Sequence, residues 1–555
     1  MTEGRRLLGQ ILKDRGAIRE GHVQEALGVQ RTDGGLIGQC LVELGHATQE
    51  QIVMALAEQA GMESIDLAGT QPTDEALAMI DATTARAYGV LPIRVEDGAL
   101  IVAIGDPLNT ALLEDLAFTT GTEVRGAFAD AARLRELVGE LYGDEEDLGS
   151  AISDASAAVA GVDLEAAAAS QPVARLLNSI LFRAVRDRAS DVHFEVFEHE
   201  FRIRYRVDGT LYEIEAPPEH LSIPLVSRIK VMSNLDITEN RVPQDGRIEL
   251  VIDGRAVDLR VATLPGISGE GCVMRVLDRS AVNLELAALG LIKEEEEELR
   301  ALTQLPHGIV LVTGPTGSGK TTTLYAMLQE AKEESVKIIT VEDPVEYDIE
   351  GIVQVPINDE IGVNYAQVLR TVLRQDPDKI LVGEIRDEET ATTAVEASLT
   401  GHAVFSTIHT NDAPSTVTRL IDMGVQPFLI SATLEAIVAQ RLVRTICKDC
   451  RVSYTPDDEI LGELGPDGES LRGATLHYGK GCENCHHTGY KGRMGIFEIL
   501  RVDDTIRRAI LEGAGSLEVR RAAEQAGMRS LRRSGLRAVT EGRTTVEEVL
   551  RETTV

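Results

Sequence analysis

The sequence predicts a multidomain α/β protein whose largest part is an open parallel sheet carrying a phosphate-binding loop. Three observations lead there. Gly314-Pro315-Thr316-Gly317-Ser318-Gly319-Lys320-Thr321 has the G-x-x-x-x-G-K-[ST] spacing. It follows Gly308-Ile309-Val310-Leu311-Val312, apolar as a strand buried on both faces must be, and it precedes 322–328, which reads as a helix. Three further apolar runs end in polar groups: 338–341 in Glu342-Asp343-Pro344, 380–382 in Gly383-Glu384-Ile385-Arg386-Asp387, and 403–405 in Ser406-Thr407-Ile408-His409. The carboxyl ends of strands in an open parallel sheet line the ligand crevice, so these groups are expected to converge.

The chain has 555 residues, enough for three or four domains, and its 43% hydrophobic and 26% charged content supports several cores. The net charge of −35 argues against nucleic acid as the main ligand, which would want a basic face. A P-loop nucleic-acid translocase is therefore the weaker alternative. No secretory leader and no membrane span is expected. Four of the six cysteines form two C-x-x-C pairs, which reads as reducing cytoplasm with one metal site rather than a disulfide framework.

Residues 1–60 contain a repeat with an offset of 29: Leu8-Gly9 corresponds to Ile37-Gly38, Gly16 to Gly45, Leu27 to Leu56 and Gln30 to Gln59. Each copy reads as helix, glycine break, helix, and Thr48 followed by Gln51 makes a capping box before the last one. Residues 61–142 read as a small α/β domain, with strands at 90–93 and 99–104 and helices at 112–118 and 131–141. Residues 143–170, acidic and then Ala/Ser-rich without an apparent apolar face, read as a linker. Residues 171–283 open with a helix at 173–188 and turn strand-rich. The alternation of Arg202-Ile203-Arg204-Tyr205-Arg206-Val207 marks a half-exposed strand. Asp208-Gly209, Asp245-Gly246 and Asp253-Gly254 mark turns. Residues 284–555 carry the phosphate loop.

Hydrolysis of a γ-phosphate needs a metal clamp, a positioned water and positive charge on the transferring group. Lys320 is expected to reach the β- and γ-phosphates. The Thr321 hydroxyl is expected on Mg²⁺, beside Thr322 at the start of the helix. Glu342 and Glu384 are candidates for the metal and water roles, which spacing alone does not divide between them. His409 is a candidate γ-phosphate contact. Cys447-x-x-Cys450 and Cys482-x-x-Cys485 can place four thiolates around a structural Zn²⁺, with His486 and His487 nearby. Arg241 and Arg247 flank Pro243-Gln244-Asp245-Gly246, read as a rigid turn, and are candidates for sensing the γ-phosphate. Their alternative partners are Glu239 and Asp236.

These residues resemble those of the secretion ATPases of the type II secretion and type IV pilus assembly family. Glu342-Asp343-Pro344-Val345-Glu346-Tyr347 resembles its aspartate box. The stretch from Leu373-Arg374-Gln375-Asp376-Pro377-Asp378 to Gly383-Glu384-Ile385-Arg386-Asp387 resembles its atypical Walker B segment, and Ser406-Thr407-Ile408-His409-Thr410-Asn411-Asp412 its histidine box. The tetracysteine with Thr488-Gly489-Tyr490-Lys491-Gly492-Arg493 resembles its zinc subdomain, expected over 447–500. Ala189-Ser190-Asp191-Val192-His193 and Pro243-Gln244-Asp245-Gly246-Arg247 resemble the domain before the core. The resemblance implies a RecA-like P-loop NTPase core at 284–555, a preceding α+β, PAS-like domain at 171–283, and bound ATP, Mg²⁺ and Zn²⁺. It implies a homohexameric motor on the cytoplasmic side of the inner membrane, meeting a platform protein through its N-terminal domains. Glu342 would activate water and Glu384 would serve the Mg²⁺. The repeat resembles a module that in some members binds cyclic di-GMP, with Leu7 and Leu36 standing where such modules carry arginine.

Those two leucines remove guanidinium groups able to stack on or pair with a dinucleotide. Calorimetry on residues 1–140 should show weak or no cyclic di-GMP binding, and sub-micromolar affinity would refute this reading.

Overall fold

The computed structural model describes the chain except residues 1–7, 34–36, 61, 66, 68–69, 81, 106–110, 131–132, 135–136, 139–140, 142–147, 160–163, 169, 253–254, 279–283, 359–360 and 555. Leu7, Leu36, the Asp253-Gly254 turn and part of the helix expected over 131–141 lie outside the described residues. The chain divides into two compact units, Met1–Val282 and Asn283–Val555. No helix among the described residues is long and apolar enough to cross a membrane.

In the first unit the repeat is visible as duplicated packing. Helices Leu8–Asp14 and Glu20–Asp33 form one copy, Ile37–Glu43 and Gln49–Ala60 the other. A Cβ on Gly9 would press Val23, and one on Gly38 would press Ile52, the equivalent contact 29 residues on. Gly16 and Gly45 each turn the chain at positive φ, near 70°. The capping box forms, Gln51 N–H donating to Thr48 Oγ1 and Thr48 N–H to Gln51 Oε1. Next comes a sheet of β1 (Glu63–Ser64), β2 (Val90–Glu96), β3 (Ala99–Ile104) and β4 (Glu123–Phe128), in the order β1-β4-β3-β2.

The segment read as a linker is instead partly core. Leu148, Ile152 and Ala155 form an apolar stripe on helix Leu148–Ala158 and are buried with Val173, Leu176 and Leu177 of helix Gln171–Arg186. The stripe begins at Leu148, ahead of the Ala/Ser-rich run that suggested a linker. These helices and Ser222–Met232 contribute to one core with the inner face of an antiparallel sheet. Its strands are β5 (Asp191–Val196), β6 (Phe201–Val207), β7 (Thr210–Glu213), β8 (Gln244–Ile252), β9 (Arg255–Pro265) and β10 (Glu270–Asp278), in the order β7-β6-β5-β10-β9-β8. Asp208-Gly209 makes the expected turn, both residues at positive φ. Asp245-Gly246 does not: both lie inside β8, paired with Ala262 and Val261. Gly246 is there for close approach, since a Cβ would stand 2.7 Å from the Ser233 carbonyl oxygen.

The second unit is built on a seven-stranded sheet of order β13-β12-β14-β15-β11-β16-β19. Its strands are β11 (Gly308–Thr313), β12 (Ile338–Glu342), β13 (Val353–Pro356), β14 (Lys379–Val382), β15 (Ala403–Ile408), β16 (Leu434–Ile446) and β19 (Tyr490–Arg501), with β17 (Arg451–Tyr454) and β18 (Leu476–Gly479) forming a separate hairpin. The first six strands pair in parallel and β19 closes the edge antiparallel to β16. Every residue of β11, β12, β14 and β15 is buried, as their unbroken apolar runs require. Because β19 belongs to this sheet, the cysteine-bearing excursion runs from the end of β16 to the start of β19, shorter than the expected 447–500.

Candidate functional site: a phosphate loop at the sheet's carboxyl end

β11 delivers the phosphate loop to helix Lys320–Ala331, which begins directly after it. Gly314, Gly317 and Gly319 all take positive φ, open to glycine and strained for other residues. At Gly314 a Cβ would stand 2.6 Å from both the Gln440 carbonyl oxygen and Ser318 Oγ. The Lys320 ammonium folds back onto the loop, donating to the carbonyls of Gly314 (3.0 Å) and Pro315 (3.1 Å). Burial holds its pKa below the usual lysine range, against the opposing pull of Glu384. Among the described residues, Ser318 Oγ is buried without a hydrogen-bond partner. A glycine cradle, an ammonium that donates to two neutral carbonyls and, among the described residues, an unsatisfied hydroxyl together fit a phosphate chain.

Glu384 and His409 meet beside this loop. Ser406 Oγ donates to the Val382 carbonyl and Thr407 Oγ1 to that of Gly383, both at 2.7 Å, locking the end of β15 to β14. His409 Nε2 lies 3.5 Å from Glu384 Oε2, and Arg386 Nε 2.6 Å from the same oxygen. The sequence-predicted Lys320, Glu384 and His409 are therefore brought together.

Glu342 is buried at the end of β12 and takes hydrogen bonds from three side chains. Thr340 Oγ1 (2.6 Å) and Gln354 Nε2 (3.1 Å) reach Oε1, and the Tyr325 hydroxyl makes a short bond to Oε2. Burial, reinforced by Glu342, raises the Tyr325 pKa, so the phenol stays protonated and remains a donor. Tyr325 lies on the helix that begins at the phosphate loop.

Sequence reasoning missed Tyr325, Gln354, Gln440 and Arg441. The last two are the sequence's one available signal: adjacent polar residues inside the apolar run Ile437-Val438-Ala439-Gln440-Arg441-Leu442-Val443. Both are buried, and Gln440 Nε2 donates to the Ser318 carbonyl at 2.5 Å.

Arg241 and Arg247 lie in the first unit. Arg241 forks onto Glu239, with Nη2 2.6 Å from Oε2, as the ion-pair alternative anticipated. Arg247 is exposed on β8 rather than beyond a turn.

The four cysteines do gather, their sulfurs all within 4.8 Å of one another. Cys447–Cys482, Cys450–Cys485 and Cys482–Cys485 separations are 3.9, 3.8 and 3.6 Å. Tetrahedral thiolates at about 2.3 Å from zinc stand about 3.8 Å apart. Backbone N–H groups of Cys482 and Gly489 point at Cys485 Sγ (3.2 and 3.3 Å), as thiolate donors do. The donor set fits Zn²⁺. His486 and His487 turn the chain at positive φ and are outside the ligand cluster. Leu461, Leu464, Leu471 and Leu476 of the excursion pack on Leu536, Val539, Val546 and Val549.

Residues 166–551 match the family described as Type II/IV secretion system protein, and residues 60–148 match the MshEN domain. The second match falls mainly on the segment read as the small α/β domain. The chain is 39% identical over 557 residues to the type IV pilus assembly ATPase PilB of Myxococcus xanthus, covering 98% of each. It is 48% identical over 424 residues to the type II secretion system ATPase E of Vibrio cholerae, covering 76% of this chain and 83% of that one. The X-ray structure of the Yersinia pseudotuberculosis ATPase DotB superposes with a TM-score of 0.52 at 23% identity, over 68% of this chain and 93% of that one, a likeness of fold.

Metal analysis of freshly purified, reduced protein should find about one zinc per chain, held by four thiolates. Cys482→Ser should lose the metal and lower solubility while the remaining protein still binds nucleotide. Absence of zinc from the parental protein would overturn the assignment.

Proposed function

The chain belongs to the Type II/IV secretion system protein family and is an ATPase of the secretion and pilus-assembly kind; from that premise we propose that it is the hexameric motor of such a machine. It works at the cytoplasmic face of the inner membrane and engages a platform protein through its N-terminal domains. The 284–555 sheet is a RecA-like core and 171–283 a PAS-like one. The observation that supports this reading best is the meeting of Lys320, Glu384 and His409 at the carboxyl end of β11, β14 and β15.

In this reading the backbone N–H groups of 316–322 hold the phosphates, and Lys320 leaves its two carbonyls for the β- and γ-phosphate oxygens. Thr321 and Glu384 would hold Mg²⁺, which would offset the phosphate charge. Water attacks the γ-phosphorus, the bond to the β–γ bridging oxygen breaks, ADP departs, and Glu342 takes the water's proton. His409, beside Glu384, senses loss of the γ-phosphate. Tyr325 caps Glu342 in the conformation described here, so the base is exposed to water only when that cap turns aside. The cap and the phosphate loop share one rigid helix, which ties the base to the state of the loop. Arg241 and Arg247 remain the proposed sensors of the γ-phosphate, with the Glu239 pair as the resting partner of Arg241.

Lys320→Ala should abolish ATP binding or turnover, because it removes the cation on the transferring phosphates. Glu342→Gln should keep ATP affinity and slow hydrolysis by about 100-fold or more. Nucleotide titration and steady-state phosphate release separate the two. Equal loss of binding in both variants would remove Glu342 from the base role.

A further inference from the structure

Gln440 is a polar side chain in an apolar strand, and it touches the phosphate loop. It is 1% exposed, with Ile437-Val438-Ala439 ahead of it and Leu442-Val443 beyond, and its backbone pairs with Phe497 of β19. Its amide nitrogen donates to the Ser318 carbonyl at 2.5 Å. Its own carbonyl packs under Gly314, where a Cβ would stand 2.6 Å from it, so strand and loop are held close. Among the described residues its amide oxygen is buried without a donor. An apolar side chain of the same length would leave no such unmet acceptor, so what the amide contributes here is its nitrogen.

That nitrogen holds one peptide. A trans peptide carries its carbonyl and its N–H on opposite sides. With the Ser318 carbonyl turned to Gln440, the Gly319 N–H points away from it. Sterics alone do not fix this orientation: Gly319 sits at φ +87°, and glycine takes either sign of φ at little cost. A flipped peptide would offer the loop's ligand a carbonyl oxygen in place of a donor. The other ties on the loop come from within it. Ser318 N–H donates to the Pro315 carbonyl, and Lys320 occupies the carbonyls of Gly314 and Pro315, which in the reading above it leaves for phosphate. The Gln440 bond reaches a third carbonyl, from outside the loop, and holds whether or not Lys320 leaves.

We propose that Gln440 is a positioning residue for nucleotide binding: its amide sets the Ser318–Gly319 peptide so that the Gly319 N–H faces the phosphates. This rests on the ATP-binding reading above. Loop N–H groups cradle the α- and β-phosphates, which ATP and ADP share, so the two nucleotides depend on Gln440 equally.

The test is calorimetric binding of ATP and ADP to the full chain carrying Gln440→Met or Gln440→Glu, beside the parental protein, at about pH 8 and about pH 6. Met fills the same space without a donor and should weaken both nucleotides about 10-fold. Burial raises a carboxyl's pKa, so at the lower pH the Glu variant carries a proton, donates it to the Ser318 carbonyl in the amide's place, and should bind both nucleotides within about 3-fold of the parental protein. Met within about 2-fold of the parental protein, a loss confined to ATP, or Glu no better than Met at either pH would overturn the proposal. If Met does not fold, as judged by zinc content and melting, Gln440→Asn takes its place, because it withdraws the amide from Ser318 by one methylene, and the same 10-fold loss of both nucleotides is expected. Failure of the parental protein to bind ATP would sink the nucleotide reading itself, a separate outcome.

Discussion

Everything at the nucleotide site depends on the parallel register of β11 with β15 on one side and β16 on the other. Thr313, the last residue of β11, stands opposite Ile408 of β15 and Ala439 of β16. The residues that follow these three paired positions therefore emerge together: the phosphate loop after β11, His409 after β15, and the Gln440-Arg441 pair within β16. Thr313 Oγ1 adds a cross-strand tie, bonding with Thr410 Oγ1 at 2.7 Å. A one-residue slip would turn alternate side chains to the opposite face and scatter the site. The all-buried faces of these strands make such a slip expensive.

The same strands carry the metal excursion. β16 passes Gln440 at the loop and ends at Ile446, next to Cys447 of the knuckle, and β19 returns from Tyr490 past Glu498. Glu498 accepts the Ala413 N–H at 2.8 Å, and Ala413 opens the helix after the histidine box. Arg444 at the foot of the excursion is held by buried Glu548 and lies 4.1 Å from the centroid of the Tyr490 ring. The thiolate cluster is thus joined to the phosphate site through two adjacent strands and a set of buried ionic contacts. Its packing onto Leu536 and Val549 makes it part of the second unit's fabric.

Local chemistry was legible in the sequence where a motif is contiguous. The phosphate loop needs its glycines and lysine within eight positions, the strand ends follow unbroken apolar runs, and the thiolates come in fixed-spacing pairs. What escaped depends on contacts distant in sequence. Tyr325 and Glu342 look unrelated until a helix and a strand pack, and Gln440 means nothing without the Ser318 carbonyl. Asp245-Gly246 looked like a turn because the pair usually is one, and the close approach of Ser233 that it permits is a tertiary fact. The helix Leu148–Ala158 was hidden by small residues: only Leu148 and Ile152 advertise its buried face.

The central claim is that this crevice hydrolyses ATP with a metal bound beside Lys320. The most direct measurement is the time course of phosphate release from ATP by the purified full chain in Mg²⁺, with EDTA added midway. The account predicts many turnovers per chain and an immediate stop on chelation. Release no faster than in protein-free buffer, or release indifferent to EDTA, would contradict it.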